Sequence, residues 1–114
     1  MVVSTAEATA IDLVGYMRRA GGLDRVAGVL SELGEKLDPG LLVEASGSAP
    51  VLWAQRLGYL LDLVGAGEKS ALLKHSARRR AGNYTKLLPG ADAGGSPRSK
   101  DWRLIVNAKI KMEA

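Results

Sequence analysis

Residues 50–65 read PVLWAQRLGYLLDLVG, and their pattern predicts an amphipathic helix. Pro50 suits the first turn of a helix, where its missing N–H costs no hydrogen bond, and Gly65 favours a helix stop. Apolar side chains recur at three- and four-residue spacing, which places them on one buried side. They are Trp53, Leu57, Leu60, Leu61 and Val64. Gln55, Tyr59 and Asp62 fall on another face.

Four more helices are predicted around this one. A capping box at Ser4–Glu7 begins the first, and Asp38–Pro39 begins a short third one. The apolar stripe of the second includes Leu30 and Leu33. The four predicted helices cover about residues 6–20, 23–37, 40–45 and 68–80. We expect the second helix to contact the fourth, the one over residues 50–64. We expect five side chains to be largely buried, namely Leu30, Leu33, Trp53, Leu57 and Leu61.

After the fifth helix the pattern changes from helix to strand. Apolar and polar residues alternate through residues 102–112, which is typical of a half-buried strand. Residues 84–88 are predicted as a short strand and residues 90–100 as a loop. Because an unpaired strand leaves an open edge, we expect 102–112 to pair with 84–88 or with Val2–Val3. The pairing should turn Leu104, Val106 and Ile110 inward and Arg103 outward.

These elements predict an α+β fold, with a layer of about five helices packed on a small sheet formed by the chain ends. At 114 residues, 46% apolar and 25% charged, the composition is typical of one soluble globular domain. No apolar run approaches the ~18–20 residues of a membrane helix. The lack of such a run predicts no membrane partner. The absence of cysteine excludes disulfides and thiol chemistry and favours a cytoplasmic protein.

No catalytic, cofactor or metal site is predicted, so we expect the protein not to be an enzyme. His75 is the single histidine, which excludes a multi-histidine metal site, and a half-buried helix residue is its ordinary role. The aspartates show no D-x-D pairing. Residues 65–67, Gly-Ala-Gly, have a glutamate after them and no strand before them, so they are a poor phosphate loop.

The basic charge is concentrated in the second half of the chain. Residues 1–64 hold eight acids and five bases, a net −3, whereas residues 65–114 hold eleven bases and four acids, a net +7. The candidates for binding a partner or phosphate are Lys74, Arg78, Arg79, Arg80, Arg103 and Lys109. Arginine forks bind phosphate and carboxylate well, but exposed bases also serve as a solvated face. Charge alone leaves both interpretations open.

Several stretches resemble the C-terminal domain of AbiEi-type antitoxins. EATAIDLV (7–14), GGLD (21–24) and VLSEL (29–33) resemble the opening of that domain. AQRLGYLLDLVG (54–65) resembles its central helix, and WRLIVN (102–107) resembles its closing strand. The AQRLGYLL part of the central-helix stretch (54–61) is the most specific, and the resemblance covers nearly the whole chain.

The resemblance implies a non-catalytic antitoxin of a bacterial type IV toxin–antitoxin, or abortive-infection, system. Such domains counteract a nucleotidyltransferase-like toxin, with or without direct contact, and usually follow a winged-helix domain that represses transcription. Here we expect one domain over residues 1–114, with the winged-helix domain absent. The residues that match the family motifs, without a known role, are Gln55, Arg56, Tyr59 and Asn107. The alternative function is a small basic transcriptional regulator that binds nucleic acid through its C-terminal half.

Overall fold

The computed structural model describes residues 6–16, 22–47, 49–80, 82, 84–87 and 94–107. Within these ranges it contains five α-helices, one 3₁₀ turn and three two-residue strands. The helices are α1 (Ala6–Gly15), α2 (Leu23–Leu33), α3 (Pro39–Gly47), α4 (Val51–Leu63) and α5 (Gly67–Arg80). The 3₁₀ turn is Gly34–Lys36, and the strands are β1 (Thr85–Lys86), β2 (Arg98–Ser99) and β3 (Leu104–Ile105).

The starts and stops of the central helices follow the signals in the sequence. Asp38 caps α3, because its Oδ2 accepts the backbone N–H of Leu41 at 3.0 Å. Pro50 directly precedes α4. Gly65 ends the following turn with φ of 86°, a conformation that favours glycine. Local chemistry therefore fixes where these helices lie along the chain.

The predicted helix ends were less accurate. α2 ends at Leu33 and passes into the 3₁₀ turn, which buries Leu37 instead of continuing the helix. α1 ends at Gly15; residues 17–21, where we expected this helix to end, lie outside the described residues, as does the capping serine Ser4.

α4 is the central element of the core. It packs against α1, α2, α3 and α5, which confirms the expected contact between the second and fourth helices. Leu30, Leu57 and Leu61 are fully buried, as expected. Trp53 and Leu33 are partly buried, so they are less enclosed than the other three residues of the predicted core. Leu33 is the last residue of its helix, and Trp53 is in the first turn of α4.

The three strands form one mixed sheet in the order β1-β3-β2. β1 runs parallel to β3, with Thr85 opposite Leu104, and β2 runs antiparallel to β3, with Ser99 opposite Leu104. The pairing of the last strand with the 84–88 segment is confirmed. Leu104 is buried and Arg103 is partly exposed, as the alternation predicted. The alternative partner Val2–Val3 lies outside the described residues.

The length of the last strand was wrong. Residues 102 and 103 form a turn, and β3 is only two residues long. After it, the N–H of Asn107 bonds to the carbonyl of Ile105 at 2.9 Å, an i to i+2 turn that ends the strand. Residues 108–112 lie outside the described residues. The predicted loop at 90–100 contains β2, so the sheet gains a strand that the pattern did not show.

The α+β class is confirmed, and the sheet comes from residues 85–105. Leu87, Trp102 and Leu104 join it to the helical core. Across the described ranges, no helix combines the length and apolar character needed to cross a membrane.

We expect Gly58→Ala to destabilise the protein by about 1–3 kcal/mol, because it overfills the core. A Cβ at Gly58 would collide with the indole ring of Trp102. The matched control is Gly28→Ala in α2, where a Cβ meets nothing within 4 Å. That change should stabilise the protein by roughly 0.5–1 kcal/mol through helix propensity. Urea denaturation of both variants measures the difference. Equal effects of the two substitutions would contradict this account of the Trp102 packing.

Candidate functional site

Four of the six predicted basic residues lie around one groove beside α5. We call it the basic groove; its volume is about 440 Å³. The residues that line it are Ala71, Lys74, His75, Arg78, Arg79 and Arg103. The opposite side of α5, with Ser70, Leu73 and Ala77, is buried against the rest of the protein. Helical spacing therefore places the cations of residues 74–79 on the outer side of a well-packed helix.

Lys74 is held at one end of the groove by acidic and aromatic neighbours. Its Nζ lies 3.8 Å from carboxylate oxygens of both Asp62 and Asp101, and 5.6 Å from the ring centroid of Trp102. Asp62 also accepts hydrogen bonds of 2.6 Å from the Ser70 hydroxyl and from Nε1 of Trp102. The positive charge of Lys74 is thus partly compensated within the protein.

Arg103 reaches the groove from the turn before β3. Its φ is 50°, the left-handed region that a non-glycine residue rarely adopts. Its carbonyl accepts hydrogen bonds from Thr85 N at 3.1 Å and from Gln55 Nε2 at 3.2 Å, which compensate the unfavourable conformation. Its Nη1 donates to the carbonyl of Gly82 at 3.3 Å.

Arg80 does not belong to the basic groove. Its Nη1 and Nη2 donate to the carbonyls of Ser46 and Ala49 at 3.1 and 3.0 Å, at the C-terminal end of α3. A cation there satisfies helix-end carbonyls and matches the helix dipole. Arg80 therefore has a structural contact that the sequence did not indicate. Lys109, the sixth candidate, lies outside the described residues.

Arg78 and Arg79 differ from the other cations of the groove. Both are exposed, and within the described part of the chain their side chains form no hydrogen bond or ion pair. A guanidinium with no intramolecular partner keeps its full capacity for a bidentate contact with phosphate or carboxylate. Of the predicted set, these two are the best placed to meet a ligand.

Two of the family-motif residues connect α4 to the sheet. Gln55 is only 2% exposed, although the pattern placed it away from the buried side, and its Nε2 donates to the carbonyl of Trp102 at 2.8 Å. Arg56 is 7% exposed, and its Nε and Nη2 both donate to the carbonyl of Lys86, at 3.0 and 2.9 Å. Burial lowers the pKa of the Arg56 guanidinium from its ordinary value. These contacts position the short strands.

The other two motif residues, Tyr59 and Asn107, are partly buried. Burial raises the pKa of the Tyr59 hydroxyl, so this group is a neutral phenol at ordinary pH. Asn107 lies in the turn that ends β3. Neither residue lines the basic groove.

The sequence analysis missed the two carboxylates that pair with Lys74. Asp62 lies on α4 and Asp101 in the turn before β3, so no spacing rule within one element joins either of them to Lys74 on α5. Among the described residues, no three or more histidine, aspartate or glutamate side chains are grouped to hold a metal ion.

A protein-family model described as the AbiEi antitoxin C-terminal domain matches residues 1–63. The match covers more than half of the 114 residues, and the chain belongs to this family. The predicted resemblance is thereby confirmed over residues 1–63, whereas the stretch at 102–107 lies outside the match. No match was found among curated proteins or among solved structures. The family is regulatory and non-catalytic, and membership gives the chain an antitoxin role in a toxin–antitoxin, or abortive-infection, system, with a toxin as its partner.

We expect Arg56→Leu to destabilise the protein by about 1–3 kcal/mol, because the carbonyl of Lys86 loses both of its donors from Arg56. Arg78→Leu is the matched control: it makes the same chemical change at an exposed residue of α5 and should stay within about 0.5 kcal/mol. Urea denaturation gives the two free energies. A free energy of unfolding unchanged by Arg56→Leu would show that the α4–sheet contact is not a structural link.

Proposed function

We propose that the chain is the antitoxin of a type IV system and counteracts a nucleotidyltransferase-like toxin through the basic groove. The observation that carries this proposal is the pair Arg78 and Arg79. In a chain of an antitoxin family, they are exposed cations without a partner among the residues that the structure describes, and they lie beside Lys74 and Arg103. In this proposal the domain works in the cytoplasm, catalyses no reaction and acts by binding.

The chemistry of the groove limits what it binds. Guanidinium groups hold planar or tetrahedral anions, which means carboxylates on the toxin or phosphates on the RNA that the toxin modifies. The net +7 of residues 65–114 accelerates the encounter with either one by long-range attraction. Neutralisation follows if the occupied groove keeps toxin and substrate apart, and this does not require a stable toxin–antitoxin complex.

The second candidate function is a small nucleic-acid-binding regulator, and the same two arginines favour it. Such a protein binds unrelated duplexes, and its affinity falls steeply as salt rises. Stacking of bases on tryptophan adds little support to this second function, because Trp102 is buried and Trp53 is partly buried in the core. A salt titration with unrelated duplex DNA separates the two functions.

We expect Arg78→Glu combined with Arg79→Glu to abolish protection in cells that co-express a nucleotidyltransferase-like toxin encoded next to this gene. The reversed charges repel the carboxylate or phosphate that the groove holds. The measurement is growth after toxin induction, with the melting temperature of the variant shown to be unchanged. Lys74 is left intact because its change would leave Asp62 and Asp101 without their cation.

The matched control is Arg25→Glu combined with Lys36→Glu, which changes the net charge by the same amount at exposed residues before α3. This control should protect as well as the wild type. Undiminished protection by the folded arginine variant would place the neutralising surface elsewhere.

A further inference from the structure

A second groove lies between α3 and α5, on the other side of the ridge formed by His75 and Arg79. We call it the α3–α5 groove; its volume is about 630 Å³, larger than that of the basic groove. Its lining residues on α3 are Gly40 and Val43. Those on α5 are Leu72, His75, Ser76, Arg79 and Arg80. The proposed antitoxin mechanism uses Arg79, which lines both grooves, but none of the apolar residues of this one.

One wall of the α3–α5 groove is apolar and exposed. Leu72 is 55% exposed, although it is in the middle of a helix whose other side is in the core. Val43 and Gly40 face it from α3. Nearby on α3, Leu41 is also exposed. A groove of this size, with apolar side chains between two helices, has the form that receives the apolar face of another helix.

The other part of the groove is positively charged. Arg79 has no hydrogen bond or ion pair within the described residues, and two neutral carbonyls hold the Arg80 guanidinium in a fixed orientation. No carboxylate is among the described residues that line the groove. The complement of this surface is a ligand that combines an apolar stripe with negative charge.

We propose that the α3–α5 groove binds an amphipathic helix of a partner protein, with carboxylates flanking its apolar stripe. Leu72 and Val43 contact the stripe, and Arg79 and Arg80 pair with the carboxylates. The apolar wall favours a protein ligand over nucleic acid, since a phosphate backbone gains nothing from an exposed leucine. Arg79 lines both grooves, but the proposal can be tested separately from the basic groove because Leu72 and Val43 line only the α3–α5 groove.

The test measures binding of a labelled synthetic helix to the full chain by fluorescence anisotropy. The probe is about 14 residues long, or four turns, with leucines at positions i, i+3, i+4 and i+7 and glutamates beside them. Two control peptides accompany it. One has every glutamate replaced by glutamine, and the other has the same composition in an order that breaks the stripe. We expect each control to bind about tenfold more weakly.

The variant that tests the groove is Leu72→Ser, and its matched control is Leu63→Ser at the end of α4. Leu72 and Leu63 are similarly exposed, at 55% and 46%, but Leu63 does not line the groove. Leu72→Ser should weaken binding of the acidic helix about tenfold, the effect of one lost apolar contact, while Leu63→Ser leaves it unchanged. Both variants should keep the melting temperature of the wild type and its protection against the toxin.

Several outcomes overturn the proposal. The proposal fails if the acidic helix does not bind or if the three peptides bind equally. It also fails if Leu72→Ser and Leu63→Ser have equal effects on binding. A single-stranded RNA whose binding depends on Leu72 would make the groove a nucleic-acid site. Wild-type self-association that Leu72→Ser abolishes in sedimentation would make a second copy the occupant. A loss of stability from Leu72→Ser well above the small cost that the helix propensity of serine carries would show that part of this chain already covers the leucine.

Discussion

The docking of Trp102 on α4 is the contact on which the C-terminal part of this structure depends. The indole ring packs on the bare backbone of Gly58, and its Nε1 donates a hydrogen bond to Asp62. The backbone carbonyl of Trp102 accepts a hydrogen bond from Gln55. Ring, ring nitrogen and backbone are all held by one helix. Because the residue is fixed at three points, the chain that follows it has little freedom, and Arg103 adopts the left-handed conformation that brings Leu104 into the core. The energy of burying the tryptophan offsets the cost of that conformation.

The helices could be predicted from the sequence because their causes are local. Apolar spacing, the Asp38 cap and the stop at Gly65 each act over a few residues, and each is found in the structure. The strand could not be predicted at its true length for the opposite reason. Alternation through 102–112 shows which side chains are apolar, but it does not show where the strand begins and ends. β3 is preceded by the turn at Arg103, whose carbonyl is bound by the distant residues Gln55 and Thr85, and it is followed by the local turn at Asn107.

The candidate site could be predicted from the sequence only in part. The run of arginines on α5 is visible in the sequence, and helix geometry then separates its members. Arg80 donates to carbonyls at the end of α3, while Arg78 and Arg79 have no partner among the described residues. Gln55 and Arg56 could not be identified as buried, because polar side chains on a helix are expected to face water. Their partners are carbonyls about 47 and 30 residues away in sequence, which no local pattern reveals.

The family match and the basic groove occupy different parts of the chain. The match ends at residue 63, at the end of α4, whereas the cations of the groove begin at Lys74. The two parts are nevertheless one physical unit, since Asp62 in the matched part binds Ser70, Lys74 and Trp102 of the following part. A change in α4 therefore reaches the groove through one carboxylate. Residues 1–63, which match the antitoxin family, therefore also contain the carboxylate that supports the groove. Asp62 pairs with Lys74 directly, and it holds Trp102, the residue before Arg103.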